Sequence, residues 1–106
     1  MAEEVRTGDI WNGRQFVSTF PSDFAIANKY GIPAVKDTFN RAFEAWKEDY
    51  RYLTDLVITL NWYIWRFYKE NEPLARVYNT LWEKAKNYAE SHLKGEEMTY
   101  YFKETD

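Results

Sequence analysis

The stretch LNWYIWRFY, residues 60–68, constrains the fold more than any other part of the chain, because nearly every position carries a large apolar side chain. It lies within residues 50–70, whose periodicity predicts a long helix. One arc of that helix is apolar and contains Leu53, Leu56, Val57, Leu60, Ile64 and Phe67. A second apolar arc, nearly opposite, contains Ile58, Trp62 and Trp65, and the narrow polar wedge that remains contains Asp55, Thr59 and Arg66. A helix that is apolar nearly all round is typical of the centre of a bundle.

Two shorter helical segments precede this central helix. The segment FPSDFAIANKYG predicts a short helix that begins at Pro21 or Ser22 and ends at Gly31, which would act as a left-handed cap. The segment IPAVKDTFNRAFEAWKED predicts a second helix with Pro33 in its first turn. Spacings of three and four place one buried stripe on that second helix: Val35, Phe39, Ala42, Phe43 and Trp46.

The sequence leaves open whether the second helix continues into the central one. Neither glycine nor proline separates Pro33 from Asn71, and the apolar stripe keeps its phase between them. One continuous helix would be about 55 Å long, whereas a compact domain of this size has a radius of gyration near 13 Å. We therefore expect a bend or break at KEDYR, residues 47–51. The alternative, an unbroken rod over residues 33–70, would need a partner chain to cover its overhang.

The two ends of the chain supply the remaining elements. Asn12-Gly13 favours a tight turn and a short β-hairpin over residues 9–19, after a flexible N-terminus at residues 1–9. NEPLARVYNTLWEKAKNYAESHLKG predicts the last long helix, capped by Asn71, with Pro73 in its first turn and Gly95 at its end. Its buried stripe contains Leu74, Val77, Tyr78, Leu81, Ala85, Tyr88, Ala89 and His92. The EMTYYFK segment that follows alternates enough to predict a strand that pairs with the hairpin, with a short helical turn as the alternative.

These segments together predict a mainly α fold. We expect a single helical domain over residues 10–106, with one short and two to three long helices in an up-down arrangement and a minor N-terminal β-hairpin. The 106 residues suffice for a core, and the absence of cysteine excludes disulfides and thiolate metal sites. The longest charge-free apolar stretch, Leu56 to Trp65, is too short to span a bilayer, and no secretory signal opens the chain. A cytoplasmic protein without membrane contact is therefore expected.

The residues that carry catalytic or metal chemistry are few. His92 is the only histidine and follows Ser91, but neighbouring residues on a helix point about 100° apart and no Gly-x-Ser-x-Gly is present. Glu44 and Glu48 lie one turn apart, yet the Glu-x-x-His spacing of carboxylate-bridged bundle sites is absent. The four glycines are isolated, so no phosphate-binding loop is present. We expect no catalytic residue, no metal and no cofactor, and hence a protein that is not an enzyme.

DNA binding is the alternative function, through a helix-turn-helix at residues 23–43. There Ala27 would pack at the helix crossing and Gly31 would form the turn, while the recognition helix would offer Lys36, Asn40 and Arg41. The pattern departs from the motif six positions after the glycine, where Asp37 replaces the buried apolar residue. The second helix also carries acids that would repel phosphates: Asp37, Glu44, Glu48 and Asp49. The net charge of −3 offers no basic stripe.

Protein binding is the function that the composition favours. Aromatic residues make up 20% of the chain, and tryptophan and tyrosine are enriched at protein interfaces. The candidate contact residues are Ile58, Trp62, Trp65, Tyr100 and Tyr101, on the central helix and the C-terminal segment. The partner would be an unidentified protein or a second copy of the chain. The competing interpretation is that the same side chains pack into the protein's own core.

Three segments also resemble a family. SDFAIANKYGIPAVKDTFNRAFEAWKEDYRYLTDLVITLNW, LARVYNTLWEKA and HLKGEEMTYYF are similar to small hypothetical proteins carried by phages and mobile elements of gut bacteria. The resemblance covers residues 20–106. It implies an accessory role in a bacterial cytoplasm, and it implies no activity, cofactor or catalytic residue.

Overall fold

The structure, a computed structural model, describes residues 8–11 and 13–105. The predicted mainly α fold with a small N-terminal hairpin is confirmed. In chain order the elements are β1 (Ile10–Trp11), β2 (Arg14–Gln15), α1 (Phe20–Tyr30), α2 (Ile32–Trp46), α3 (Tyr50–Phe67), α4 (Glu72–His92) and α5 (Glu96–Thr105). Helix α3 lies at the centre, with α4 along one side and α1, α2 and α5 also in contact with it.

The core follows the first apolar arc of α3. Leu53, Leu56, Val57 and Leu60 are buried, as the helical spacing predicts, and Ile64 and Phe67 at the far end of the arc are half-buried. Aromatic rings from the other helices complete this core, among them Phe24, Phe39, Phe43 and Tyr78. No helix in the part of the chain that the structure describes is long and apolar enough to cross a membrane.

The chain breaks between α2 and α3 at the place that the sequence predicts. Helix α2 ends at Trp46 and α3 begins at Tyr50, so residues 33–70 form two helices and not one rod. Asp49 fixes the new start, because its carboxylate accepts a hydrogen bond of 3.0 Å from the backbone N–H of Arg51. An acceptor at this position satisfies one of the N–H groups that a helix start leaves unpaired.

Glycines shape two of the corners. Gly31 alone separates α1 from α2, with φ 104° and ψ −175°, a conformation open to glycine but strained for other residues. Gly31 therefore ends α1, as the sequence predicts. Its ψ angle lies in the extended range, so it does not form the expected left-handed cap. Helix α4 begins as predicted, with the Asn71 side chain accepting from the N–H of Leu74, but it ends at His92. Gly95, at φ 61°, instead begins α5, because its carbonyl accepts the N–H of Thr99.

The predicted C-terminal strand is wrong, and the alternative of a helical turn extends to the ten-residue helix α5. Glu96 and Glu97 in its first turn interact favourably with the positive end of the helix dipole. The helical spacing also directs Tyr101 into the core, where its side chain is 2% exposed. Within the described part of the chain the sheet therefore consists of the two hairpin strands, paired antiparallel with Ile10 opposite Gln15.

The N-terminal hairpin is confirmed, with Gly13 at φ 80° in its turn. Asn12, the other predicted turn residue, and residues 1–7 of the expected flexible N-terminus lie outside the described residues. Asp9, the last residue of that expected flexible segment, is held in place. Its N–H donates to the carbonyl of Ser18 at 2.9 Å, and its carbonyl accepts the N–H of Phe16 at 2.8 Å.

Candidate functional site

Trp62, the middle residue of the second apolar arc of α3, is partly covered by the hairpin. The ring of Trp62 is half-buried and packs edge-on against Trp11 of β1, with 4.7 Å between ring centroids. Trp11 also lies against Tyr63, whose ring stacks on Tyr78 at 5.1 Å. Most of the aromatic surplus in LNWYIWRFY therefore serves the protein's own core. Trp65 and Tyr68 are the exceptions, because their side chains are 63% and 48% exposed.

The other candidate contact residues do not join Trp65 in one surface. Tyr101 is a core residue, since helix α5 points it towards α3 and α4. The expectation that it contacts a partner is therefore wrong. Tyr100 is half-buried and packs edge-on against Tyr50 at 5.2 Å. Ile58 is half-buried beside a cavity of about 250 Å³ between α3, α4 and α5. The five side chains are thus spread over several environments.

The polar wedge expected on α3 is not a solvated face. Asp55 and Thr59 are both fully buried, and only Arg66 is exposed. The carboxylate of Asp55 accepts hydrogen bonds from the N–H groups of Val17 and Ser18, at 2.9 and 3.1 Å. The hydroxyl of Thr59 has no hydrogen-bond partner within the described residues. Asp55 therefore holds the N-terminal segment onto the central helix.

Arg14 extends this network to the last helix. Its Nη1 donates to Asp55 Oδ1 at 2.9 Å, while its Nε and Nη2 donate to Glu104 Oε1 of α5 at 3.2 and 3.1 Å. Burial raises the pKa of Asp55, and the guanidinium of Arg14 opposes that rise. The arrangement joins β2, α3 and α5 through one guanidinium that is shared by two carboxylates, which is a structural role.

Tyr101 makes the stability of the fold sensitive to alkaline pH. Burial, with Glu90 nearby, raises the pKa of its hydroxyl from 10.0 to about 12. A raised pKa favours the protonated form in the folded state, so this contribution to stability is complete below pH 10 and is lost as the pH rises towards 12. We expect urea unfolding to show a free energy of unfolding that falls across this interval, and that falls less steeply in Tyr101→Phe. The same slope in both proteins would contradict this role of Tyr101.

The environment of His92 does not support catalysis. The expectation that it lies in the buried stripe of α4 is wrong, because the ring is exposed and stacks on Tyr88 at 3.8 Å. Its Nδ1 lies 2.9 Å from the carbonyl oxygen of Tyr88, and the hydroxyl of Ser91 donates to the carbonyl of Asn87. These contacts satisfy carbonyls in the last turn of the helix. No group of three potential ligands for a metal ion occurs among residues 8–11 and 13–105.

The residues proposed to contact DNA lie on the exposed side of α2. Lys36, Asn40 and Arg41 are all accessible, but the guanidinium of Arg41 pairs with Asp37 at 3.0 Å. Asp23 of α1 lies beside the same surface and adds a second carboxylate. A phosphate approaching this face would meet two acids against Lys36 and an arginine that is already paired, so the face offers no net positive charge to attract it.

A groove of about 470 Å³ lies between α1 and α2, and the sequence does not predict it. Its base is formed by buried and half-buried apolar side chains, three of which are alanines: Phe20, Ala27, Ala34 and Ala42. Its walls are three exposed apolar residues, Ile26 and Tyr30 of α1 and Trp46 of α2. We call these residues, with Asp23, Asp37, Thr38 and Arg41 at the rim, the α1–α2 groove.

The walls of the α1–α2 groove are partly held in position. Trp46 stacks flat on Tyr52, with 4.0 Å between centroids and 11° between the ring planes. Trp46 is therefore not part of the buried stripe that the sequence predicts. The side of its indole ring away from Tyr52 is exposed. Ile26 and Tyr30 are 56% and 77% exposed, four residues apart on α1. Residues four apart lie on the same face of a helix, and this pair lies outside the buried stripe of α1. The sequence could therefore have indicated an exposed apolar surface here.

Comparison of the chain with known proteins found no matching family model, no matching curated protein and no matching solved structure.

Proposed function

We propose that this protein is a non-enzymatic protein-binding module, and that the α1–α2 groove is its binding surface. The observation that carries the proposal is the placement of three large exposed apolar side chains, Ile26, Tyr30 and Trp46, around one groove. Clustered exposure of this kind on a small protein marks interaction sites, whereas single exposed apolar residues are ordinary.

The chemistry of the groove favours a protein segment as its ligand. The walls offer an indole, a phenol and an aliphatic side chain, residue types that anchor protein interfaces when a partner covers them. The rim offers Asp23, Asp37 and Arg41, which can fix the orientation of a partner through polar contacts. Two neighbouring antiparallel helices with an apolar channel between them match the way a helix or a single aromatic side chain docks in a groove.

Trp46 is expected to be the strongest anchor in this groove. It is exposed enough to be truncated without opening the core, and its stacking on Tyr52 holds the indole ready for a partner. We expect Trp46→Ala to weaken partner binding by about 30-fold, the effect of losing a hot-spot side chain, with helicity unchanged by circular dichroism. The test places a photo-crosslinking amino acid at position 30 and measures the yield of crosslinked partner with and without Trp46→Ala.

Position 10 supplies the matched control for this experiment. Ile10 is 74% exposed on the hairpin, outside the α1–α2 groove, so its exposure is comparable to that of Tyr30. A crosslinker at position 10 should capture no specific partner, and Ile10→Ala should leave capture from position 30 unchanged. Equal capture from positions 10 and 30, or capture from position 30 that persists in Trp46→Ala, would contradict the proposed site.

A further inference from the structure

A second exposed aromatic cluster lies at the C-terminal end of α3. Trp65 and Tyr68 pack edge-on against each other at 5.5 Å and remain 63% and 48% exposed. We call these two residues the α3 knob. The α1–α2 groove is concave, and the α3 knob is a pair of rings at the end of a helix. The two surfaces are therefore both apolar and have complementary shapes.

The charges beside the two surfaces are also complementary. At the α3 knob, Arg66 pairs with Glu70 at 2.6 Å, whereas Lys69 makes no ion pair within the described residues and lies over the ring of Tyr68. At the groove, Arg41 pairs with Asp37, whereas Asp23 has only the hydroxyl of Thr19 as a described side-chain partner. Among residues 8–11 and 13–105, each surface therefore keeps one charge without an opposite partner, a cation on the knob and an anion on the groove.

The knob cannot reach the groove of its own chain. Trp46 and Phe20 of the groove contact the ring of Tyr52, near the start of α3. Trp65 follows Tyr52 within the same helix and lies roughly 20 Å further along its axis, at about 1.5 Å per residue. Neither Trp65 nor Tyr68 lines the groove, and both surfaces are formed by helices of one packed fold, so the proposed contact requires a second molecule.

We propose that the α1–α2 groove binds the α3 knob of a second copy of this chain, with Asp23 facing Lys69 across the contact. This proposal rests on the function proposed above and names the partner of the same groove. The contact joins two different surfaces, so each molecule keeps a free groove at one end and a free knob at the other. Head-to-tail association of this kind produces open chains whose mean length grows with protein concentration.

The test is light scattering on the full chain and on two variants that each lose one surface. Wild-type protein is expected to show a mean mass that rises with concentration. A groove variant, Ile26→Asp, and a knob variant, Trp65→Ala with Tyr68→Ala, should each remain at the mass of one chain. An equimolar mixture of the two should form dimers and nothing larger, because it contains one intact groove and one intact knob.

Charge exchange provides the second arm. Asp23→Lys and Lys69→Glu should each weaken self-association by about tenfold, and the two changes in one chain should restore it. All variants are checked by circular dichroism, and Ile10→Asp, an equally polar change at an exposed isoleucine outside both surfaces, should associate like the wild type.

Three outcomes would overturn the proposal: a wild-type mass of one chain at every concentration, a variant mixture that stays monomeric, or self-association that Ile10→Asp disrupts as strongly as Ile26→Asp. The proposed function has a separate test. If the wild type is monomeric but Trp46→Ala still abolishes crosslinking from position 30 to another protein, self-docking fails while the protein-binding groove stands.

Discussion

Replacing Asp55 by alanine is expected to lower the free energy of unfolding by about 3–5 kcal/mol, a large part of the stability of a small domain. The Asp55 side chain is fully buried and accepts three hydrogen bonds, from the N–H groups of Val17 and Ser18 and from the guanidinium of Arg14. Alanine leaves these donors without their acceptor inside the protein, and an unpaired buried donor is costly. Urea denaturation followed by circular dichroism measures the loss.

Two substitutions separate the causes of this effect. Asp55→Asn keeps the size but replaces one acceptor oxygen with an NH2 donor, which would face either Arg14 Nη1 or the N–H groups of Val17 and Ser18. It should therefore still lose at least about 2 kcal/mol, which would show that the acceptor oxygens and not the size of the side chain carry the effect. Asp37→Ala removes a carboxylate from an exposed ion pair with Arg41 and should change stability by less than about 1 kcal/mol. A loss below about 1 kcal/mol in Asp55→Ala would show that the N-terminal segment does not depend on this carboxylate.

The pKa of Asp55 sets the direction of its pH dependence. Because burial raises this pKa above 3.8, the protonated carboxyl is favoured in the folded state. The corresponding contribution to stability is present below the ordinary carboxyl pKa and is lost as the pH rises through the raised value. Through Asp55 alone, acid therefore does not lower the free energy of unfolding.

Local signals in the sequence were sufficient for most helices. Pro33 in a first turn and Asn71 as a cap fix where α2 and α4 begin, because both act on neighbouring backbone groups. The break at residues 47–51 followed from chain length, and Asp49 supplies the cap there. Periodicity also placed the apolar arc of α3 correctly, since one side of a helix must meet the core.

The sequence could not predict the buried, hydrogen-bonded role of Asp55 from local signals. A polar residue on a helix has the same periodicity whether it faces water or a covering segment. The groups that cover Asp55 are 37 to 41 residues away in the chain, in the segment from Arg14 to Ser18. The α1–α2 groove was missed for a related reason, because it exists only where the corner at Gly31 sets two helices side by side.

Replacing Tyr78 by alanine is expected to cost about 3–5 kcal/mol, the usual effect of truncating a buried aromatic ring. Tyr78 lies on α4 with no exposed surface, and its ring contacts Phe24 of α1 and both Tyr63 and Phe67 of α3, at centroid distances from 5.1 to 6.2 Å. One side chain thus joins three helices. Its removal would leave a cavity where those rings meet, and thermal or urea unfolding would measure the loss.

Tyr78→Phe divides this effect between the ring and the hydroxyl. The hydroxyl donates to the side-chain carbonyl of Asn28, so its removal should cost about 1 kcal/mol and the ring should account for the remainder. Tyr30→Ala, at an exposed tyrosine, should change stability by no more than about 0.5 kcal/mol. If Tyr78→Ala were as mild as Tyr30→Ala, the aromatic residues of α3 would not be held by α4. The aromatic surplus would then need a partner chain to cover it, because the core described here would no longer explain its burial.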